Sequence, residues 1–217
     1  MGSDVNRRQF IGAALAAGPL AMAMAMRPAG AAAAATKPPV CVFSKHLQFL
    51  DYKQLAATCK ALGLDGVDLT VREGGHVLPE NLYRDLPAAV EAIRAEGLEV
   101  PMITTRLKSG DDAGAREILA AAAKLGIRYV RIGGHKYNAL GEIPAQIEGF
   151  TAEVRALTQL AESFDLTRGY HNHSGPMNFG APVWDLERMY AAIGSKHLGS
   201  NFDLGHAMVE GGFGDWQ

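Results

Sequence analysis

The chain has 217 residues, 48% of them hydrophobic, which is enough for one buried core and too many for a disordered chain. Its 21 Lys and Arg nearly cancel 23 Asp and Glu, and a net charge of −2 carries neither the basic footprint of a nucleic-acid binder nor an acidic tail. Export would permit a disulfide between Cys41 and Cys59, but two cysteines are not a disulfide framework, and both read as small buried residues.

Residues 1–35 differ from everything after them. Asn6-Arg7-Arg8-Gln9-Phe10-Ile11 opens the segment, an apolar run from Phe10 to Met26 follows, and Arg27, Pro28 and the tract Ala31–Ala35 close it. A basic start, an apolar middle and a small-residue end make a secretory signal. The arginine pair resembles a twin-arginine export signal, with Asn6 in place of Ser or Thr and Gly12 in place of Lys. Cleavage near Ala33–Thr36 and a periplasmic location are expected, with membrane contact only through the export machinery or an uncleaved signal. The competing reading, a membrane anchor, needs a longer and less alanine-rich run.

After Pro39 the chain repeats strand, loop and helix. The first strand is expected at Val40–Ser44 and runs into Ser44-Lys45-His46-Leu47. Leu55, Cys59 and Leu62 mark one face of the first helix, which Gly63 stops. The second strand is expected at Gly66–Val71. A helix with Leu86, Ala89, Val90 and Ile93 on one face follows it and ends at Gly97. The third strand is Glu99–Thr104, its helix stops at Gly126, and the fourth strand is Arg128–Ile132. Phe150, Val154, Leu157 and Leu160 mark the next helix, and strands five and six are expected at Thr167–His171 and Gly199–Asp203. Units of roughly 30 residues alternating β and α imply a parallel sheet with helices outside. A doubly wound nucleotide-binding sheet would carry a glycine-rich loop after its first strand, and this chain has Ser-Lys-His-Leu there. The fold class is therefore α/β, a (β/α)8 TIM barrel of which about six of eight units are present, since a full barrel takes about 250 residues. The domain 36–217 is expected to lack strands seven and eight, and its open edges to drive self-association.

Of seven histidines, six fall after strands: His46, His76, His135, His171, His173 and His206, with His197 elsewhere. Barrel chemistry sits at the C-terminal ends of the strands, so this grouping marks a polar site. In Tyr170-His171-Asn172-His173, positions 171 and 173 share one side of an extended chain and can bind a metal or move protons. In Asn201-Phe202-Asp203-Leu204-Gly205-His206, a carboxylate at a strand tip suits a hard divalent cation. The bland reading of that second segment is an N-cap Asp with a loop His.

These last two motifs, with Ser44-Lys45-His46-Leu47 and the Gly63-x-Asp65-Gly66-Val67-Asp68-Leu69 segment, resemble the xylose-isomerase-like barrels. The sugar phosphate isomerase/epimerase-type group is the nearest, and the resemblance runs from Pro39 to Gln217. It implies a divalent metal, Mn2+ first, with Mg2+, Co2+ or Zn2+ as alternatives. Asp203 and His171 would be ligands, although such barrels carry glutamate where His171 stands. The ligands from strands seven and eight have no counterpart. His171, His173 and Lys45 are the candidate proton-transfer groups, and His206, His135 and His46 the candidate substrate contacts. The expected activity is a metal-dependent isomerase or epimerase acting on a small-molecule carbohydrate, a free sugar or polyol, through an enediolate. A lyase or hydrolase on the same site and a non-catalytic sugar-binding protein are the alternatives.

Overall fold

The structure, a computed structural model, describes residues 37–211. The export-signal segment, residues 1–35, lies outside the described residues. From Pro39 onward the chain forms its own compact unit. Among the described residues no helix is long and apolar enough to cross a membrane.

Among the described residues, six strands alternate with six α-helices: β1 (Cys41–Phe43), α1 (Tyr52–Ala61), β2 (Gly66–Thr70), α2 (Leu82–Ala95), β3 (Glu99–Thr104), α3 (Ala115–Lys124), β4 (Tyr129–Ile132), α4 (Ile143–Glu162), β5 (Thr167–Tyr170), α5 (Val183–Ile193), β6 (Leu198–Ser200) and α6 (Leu204–Gly211). Every neighbouring pair is parallel, and the sheet order is β1-β2-β3-β4-β5-β6. Sequential order is the winding of a barrel; a doubly wound sheet reverses its order partway. The fold is a partial (β/α)8 barrel.

Alternation along each strand decides what faces the helices and what faces the barrel interior. Val67 and Leu69, Ile103, Val130 and Ile132, and Tyr170 are buried with the helical layer. Their neighbours Asp68 and Thr70, Thr104, Arg131 and Gly169 take the inner face. Register carries that face across the sheet: Thr70 pairs with Thr104, Thr104 with Arg131, and Arg131 with Gly169. Barrel interiors usually carry bulky branched side chains at such positions. Here the inner face mixes the polar Asp68, Thr70, Thr104 and Arg131 with Phe43 and Met102, which are in register with Asp68.

The helices bury the stripes their spacing marks. Leu86, Ala89, Val90 and Ile93 of α2 are buried, as are Val154 and Leu157 of α4, with Phe150 and Leu160 packed part-buried beside them. Asp51 caps α1 in a reciprocal box with Gln54: each side chain accepts the other residue's backbone N–H, at 2.8 and 3.1 Å. Leu62 departs from expectation. It is 66% exposed because α1 ends at Ala61 and Leu62 serves as the cap, off the buried face.

The glycine stops are conformational. Gly63, Gly97 and Gly126 all take φ near +70°, and a Cβ at Gly63 or Gly126 would meet nothing within 4 Å. It is the left-handed backbone, not crowding, that selects glycine there. The fourth stop uses Asp165 at φ 55°, a residue type that tolerates this region. Cys59 is buried, Cys41 half-buried, and both are free thiols.

A candidate metal and catalytic site beyond strands five and six

β5 ends at Tyr170 and β6 at Ser200, so His171, His173, Asp203 and His206 lie just past the strand ends. The sheet ladder stops there, and a side chain continues it. Buried Asn172 donates from Nδ2 to the Asp203 carbonyl at 2.9 Å and accepts the Asp203 N–H at 2.6 Å. It mimics a strand neighbour and fixes the two segments together.

Asp203 begins α6. Its Oδ1 accepts the His206 N–H at 2.7 Å, an N-cap bond to the third helical residue. The bland reading of this segment is therefore half right: Asp203 does cap, but His206 sits in the first helical turn. The same cap keeps Oδ2 available, 3.7 Å from His171 Nε2. Partial burial raises the Asp203 pKa, but the His206 N–H and the nearby imidazoles outweigh it and hold the carboxyl below its usual range.

Three imidazoles cluster here, with His171 facing this carboxylate. One ring nitrogen each from His171, His173 and His206 lies within 4.8 Å of the other two. His171 Nδ1 is 3.1 Å from both the backbone oxygen and Oδ1 of Asn201. A carbonyl oxygen can only accept, so Nδ1 carries the proton and the Nε2 lone pair points toward the cluster. His206 Nδ1 is 3.0 Å from Ser174 Oγ, which leaves its Nε2 free in the same way. Among the described residues the His173 ring has no hydrogen-bond partner, and His173 is exposed. Burial, together with the Arg131 guanidinium, pushes His171 down to about 4, so it stands neutral at ordinary pH. Burial and the neighbouring His206 also lower His173. His171 and His206, each with Nδ1 anchored and Nε2 free, beside the Asp203 carboxylate form a donor set that fits a divalent ion.

Two glycines make room for this arrangement. A Cβ on Gly169 would lie 2.8 Å from the Cβ of Asn201, so glycine lets Asn201 reach His171. A Cβ on Gly133 would lie 2.5 Å from the Arg106 carbonyl oxygen, where the loop after β4 closes on the loop after β3.

The other expected residues fall differently. Lys45 and His46 are exposed in a short 3-10 turn, Ser44–Leu47, that follows β1. The Lys45 charge is felt at His173, whereas His46 stands edge-on to Phe43 with ring centres 5.7 Å apart. His135 lines a cavity of about 390 Å3 with His171 and His173. Its ring, however, is committed to the protein. Tyr170 Oη accepts the His135 backbone N–H at 2.9 Å and lies 3.0 Å from Nδ1, and Nε2 meets Glu153 at 3.0 Å. Because Tyr170 Oη already accepts one bond, its own proton goes to Nδ1, and Nε2–H faces the carboxylate. These bonds pin the loop after β4 to β5, while His135, expected to contact substrate hydroxyls, lines the cavity beside His171 and His173. His206, expected as a substrate contact, stands with His171 and His173 in a group of imidazoles that could hold a metal ion. His76 lies apart, its backbone N–H donating to Thr70 Oγ1 at 2.9 Å. Sequence reading did not assign roles to Asn201, Asn172 or Arg131. The alternation of β4 is the one signal that could have pointed to Arg131.

The family model described as xylose isomerase-like TIM barrel matches residues 56–216. No match is found among curated protein sequences. Among solved structures, the chain is similar to the probable 3-DHS dehydratase AsbF of Bacillus anthracis, with TM-score 0.65 and 13% identity over 80% of this chain and 66% of that one. An L-ribulose 3-epimerase gives 0.61 and 15%, covering 80% and 63%. The IolI protein with a binding zinc atom gives 0.62 and 15%, covering 80% and 66%. At these identities the likeness is one of fold. The chain spans about two thirds of the length of these structures.

Proposed function

We propose, from the premise that the chain belongs to the xylose isomerase-like TIM barrel family, that it is a metal-dependent isomerase or epimerase of a free sugar or polyol. The observation that carries this reading is the convergence of His171, His173 and His206 within 4.8 Å, with the Asp203 carboxylate alongside. An epimerase and a zinc-binding protein among structures of the same fold support it.

His171 and His206, each with Nδ1 anchored, and Asp203 through Oδ2 would hold the ion. When bound, a divalent ion supplies Lewis acidity to adjacent substrate oxygens, acidifying the C–H between them. His173 has no anchoring bond, is exposed and is driven toward its neutral form. It is the group that takes the proton from substrate carbon through a ring nitrogen and returns it to the neighbouring carbon or the opposite face. Lys45, at the end of β1, adds a positive charge beside that imidazole and favours its return of the proton. The periplasm is the proposed location, reached by the twin-arginine route.

A second reading keeps the same residues and lets the carbanion expel a β-substituent, as a lyase. The dehydratase among the structural neighbours favours it. Incubation with ketoses, inosose and 3-keto-glycosides in deuterium oxide separates the two. Deuterium at the carbon next to the carbonyl, lost in His173→Gln, supports the isomerase. An unsaturated product supports the lyase. No exchange and no product with any substrate rejects both.

A further inference from the structure

The loops after β4 and β5 are zipped together beside the histidine cluster. Lys136 pairs with Asn178 in an antiparallel bridge, the Phe179 N–H donates to the His135 carbonyl at 3.1 Å, and the Tyr137 N–H donates to the Met177 carbonyl at 2.8 Å. Asp185, in the first turn of α5, fastens both loops. Its Oδ2 accepts the Tyr137 hydroxyl at 2.8 Å and the Gly180 N–H at 3.3 Å. Phe179 is buried behind the pair, edge-on to Tyr170 and His135 with ring centres 5.6 and 6.3 Å away. Backbone bonds, a shared carboxylate and packed rings make a wall that holds its shape.

That wall, with His171 and His173, bounds the cavity of about 390 Å3, which His206 and Asp203 do not line. The cavity thus adjoins the imidazole read as the proton-transfer group. Its volume is near the small end of the roughly 300–1,000 Å3 common for ligand pockets, the scale of one small molecule. Gly134 lies on its surface, and a Cβ there would meet nothing within 4 Å. Its backbone is not left-handed either, so neither conformation nor crowding by the protein calls for glycine. What the missing side chain leaves is space in the cavity. Asn178 lines the same surface, and its Nδ2 donates to the Ser174 carbonyl at 2.6 Å. That oxygen only accepts, so the bond fixes which way the amide points, and among the described residues Oδ1 accepts nothing. Lys136, its bridge partner, adds a donor on this surface. A hydroxyl, which both donates and accepts, complements such a pair.

We infer that the non-reacting carbons of the substrate lie in this cavity, that Gly134 is bare to make room for them, and that Asn178 Oδ1 accepts a hydrogen bond from one of their hydroxyls. The substrate is then a polyhydroxylated chain longer than its reacting unit, selected by hydroxyls beyond that unit. This rests on the proposed reading of His173 as the proton-transfer group, and it assigns specificity to two residues outside the histidine cluster.

The test is protection of a thiol placed in the cavity. Gly134→Cys in the full chain, supplied with Mn2+, is alkylated with iodoacetamide, and the free thiols Cys41 and Cys59 serve as internal controls. The probes are D-fructose, D-psicose, D-tagatose and D-sorbose, compared with dihydroxyacetone at equal concentration. Dihydroxyacetone has the reacting ketol and no further carbons. At least one ketohexose is expected to slow alkylation at position 134 about fivefold or more, with Cys41 unchanged and dihydroxyacetone without effect. Asn178→Ala should remove most of that protection, through a loss of affinity of about tenfold for one hydrogen bond. Asn178→Asp keeps an acceptor while losing the bond to Ser174, so it should retain protection; loss in both variants would assign the effect to a loosened loop and overturn the role of Oδ1. Gly134→Val, made in the otherwise unaltered chain, should leave Tm unchanged and weaken calorimetric binding of the same ketohexose about tenfold. No protection by any ketohexose, equal protection by dihydroxyacetone, or full affinity in Gly134→Val overturns the inference. Should an Asn178 variant fail to fold, the two Gly134 variants still decide. Protection without proton exchange would sink the isomerase reading alone. Exchange without protection would sink this inference alone.

Discussion

His171 Nδ1 lies 3.1 Å from both carbonyl oxygens of Asn201, one on the backbone and one on the side chain. That contact fixes the tautomer and aims Nε2 at Asp203 and the other imidazoles. Removing the side-chain oxygen by Asn201→Ala leaves the backbone acceptor, so the loss of divalent-metal affinity is expected at about tenfold, the low end for a group that orients a ligand. Metal titration followed by calorimetry measures it. Unchanged affinity would mean that Asn201 does not orient the ligand.

Gly169 stands behind the same contact. A methyl group there would meet the Asn201 Cβ at 2.8 Å, so β6 must shift away from β5. Gly169→Ala is expected to cost about 1–3 kcal/mol of stability, as overpacking does, and to weaken metal binding with it. Denaturant melts and metal titration of one variant report both. A stable variant with intact metal affinity would show that this close approach is not needed.

His135 is expected to matter for stability rather than for substrate. Its ring is buried, and both nitrogens are within 3.0 Å of protein partners. His135→Ala leaves the Tyr170 hydroxyl with an unmet proton and opens a cavity, at a cost of about 2–3 kcal/mol. Glu153 is half-exposed, and Glu153→Gln should cost less than about 1 kcal/mol. Equal effects of the two substitutions would contradict a positioning role carried by the buried ring.

Asp68 gives the fold a pH signature. Burial raises its pKa from 3.8 to about 6, against the lowering effects of the Thr104 hydroxyl and of Arg131 and Arg72. Between about pH 4 and 6 the folded protein keeps a proton that the unfolded chain has lost. Stability from this group is thus greatest below pH 4 and falls as pH rises toward 6, by up to about 3 kcal/mol. Asp68→Asn should remove that fall. Melting temperatures across pH 4–7 for both proteins would show it, and parallel curves would refute it.

Much of this was legible in the sequence, for identifiable reasons. Short β-rich runs marked all six strands, and the 3.6-residue period marked the buried faces of α2 and α4, because burial imposes that period directly. The boundaries slipped where a strand is short. The sixth strand, expected at Gly199–Asp203, is Leu198–Ser200, since Asp203 leaves the ladder to cap α6. The Asp165 stop carries the same apolar residue after it as the glycine stops but lacks the glycine. The convergence of His171 with Asp203 followed from placing both at neighbouring strand ends. The partners that orient them did not follow. Asn201 and Asn172 act through side-chain bonds between strands, and the ring of His135 is bonded to Tyr170 and Glu153, each distant from it in sequence.

The most direct test of the account is the divalent metal content of the purified chain, compared with a His171→Ala/His206→Ala double variant and with His173→Gln. One ion per chain, lost in the double variant and kept in His173→Gln, is the expected result. A chain that binds no divalent ion, or a double variant that keeps one, would contradict a metal centre built from these histidines.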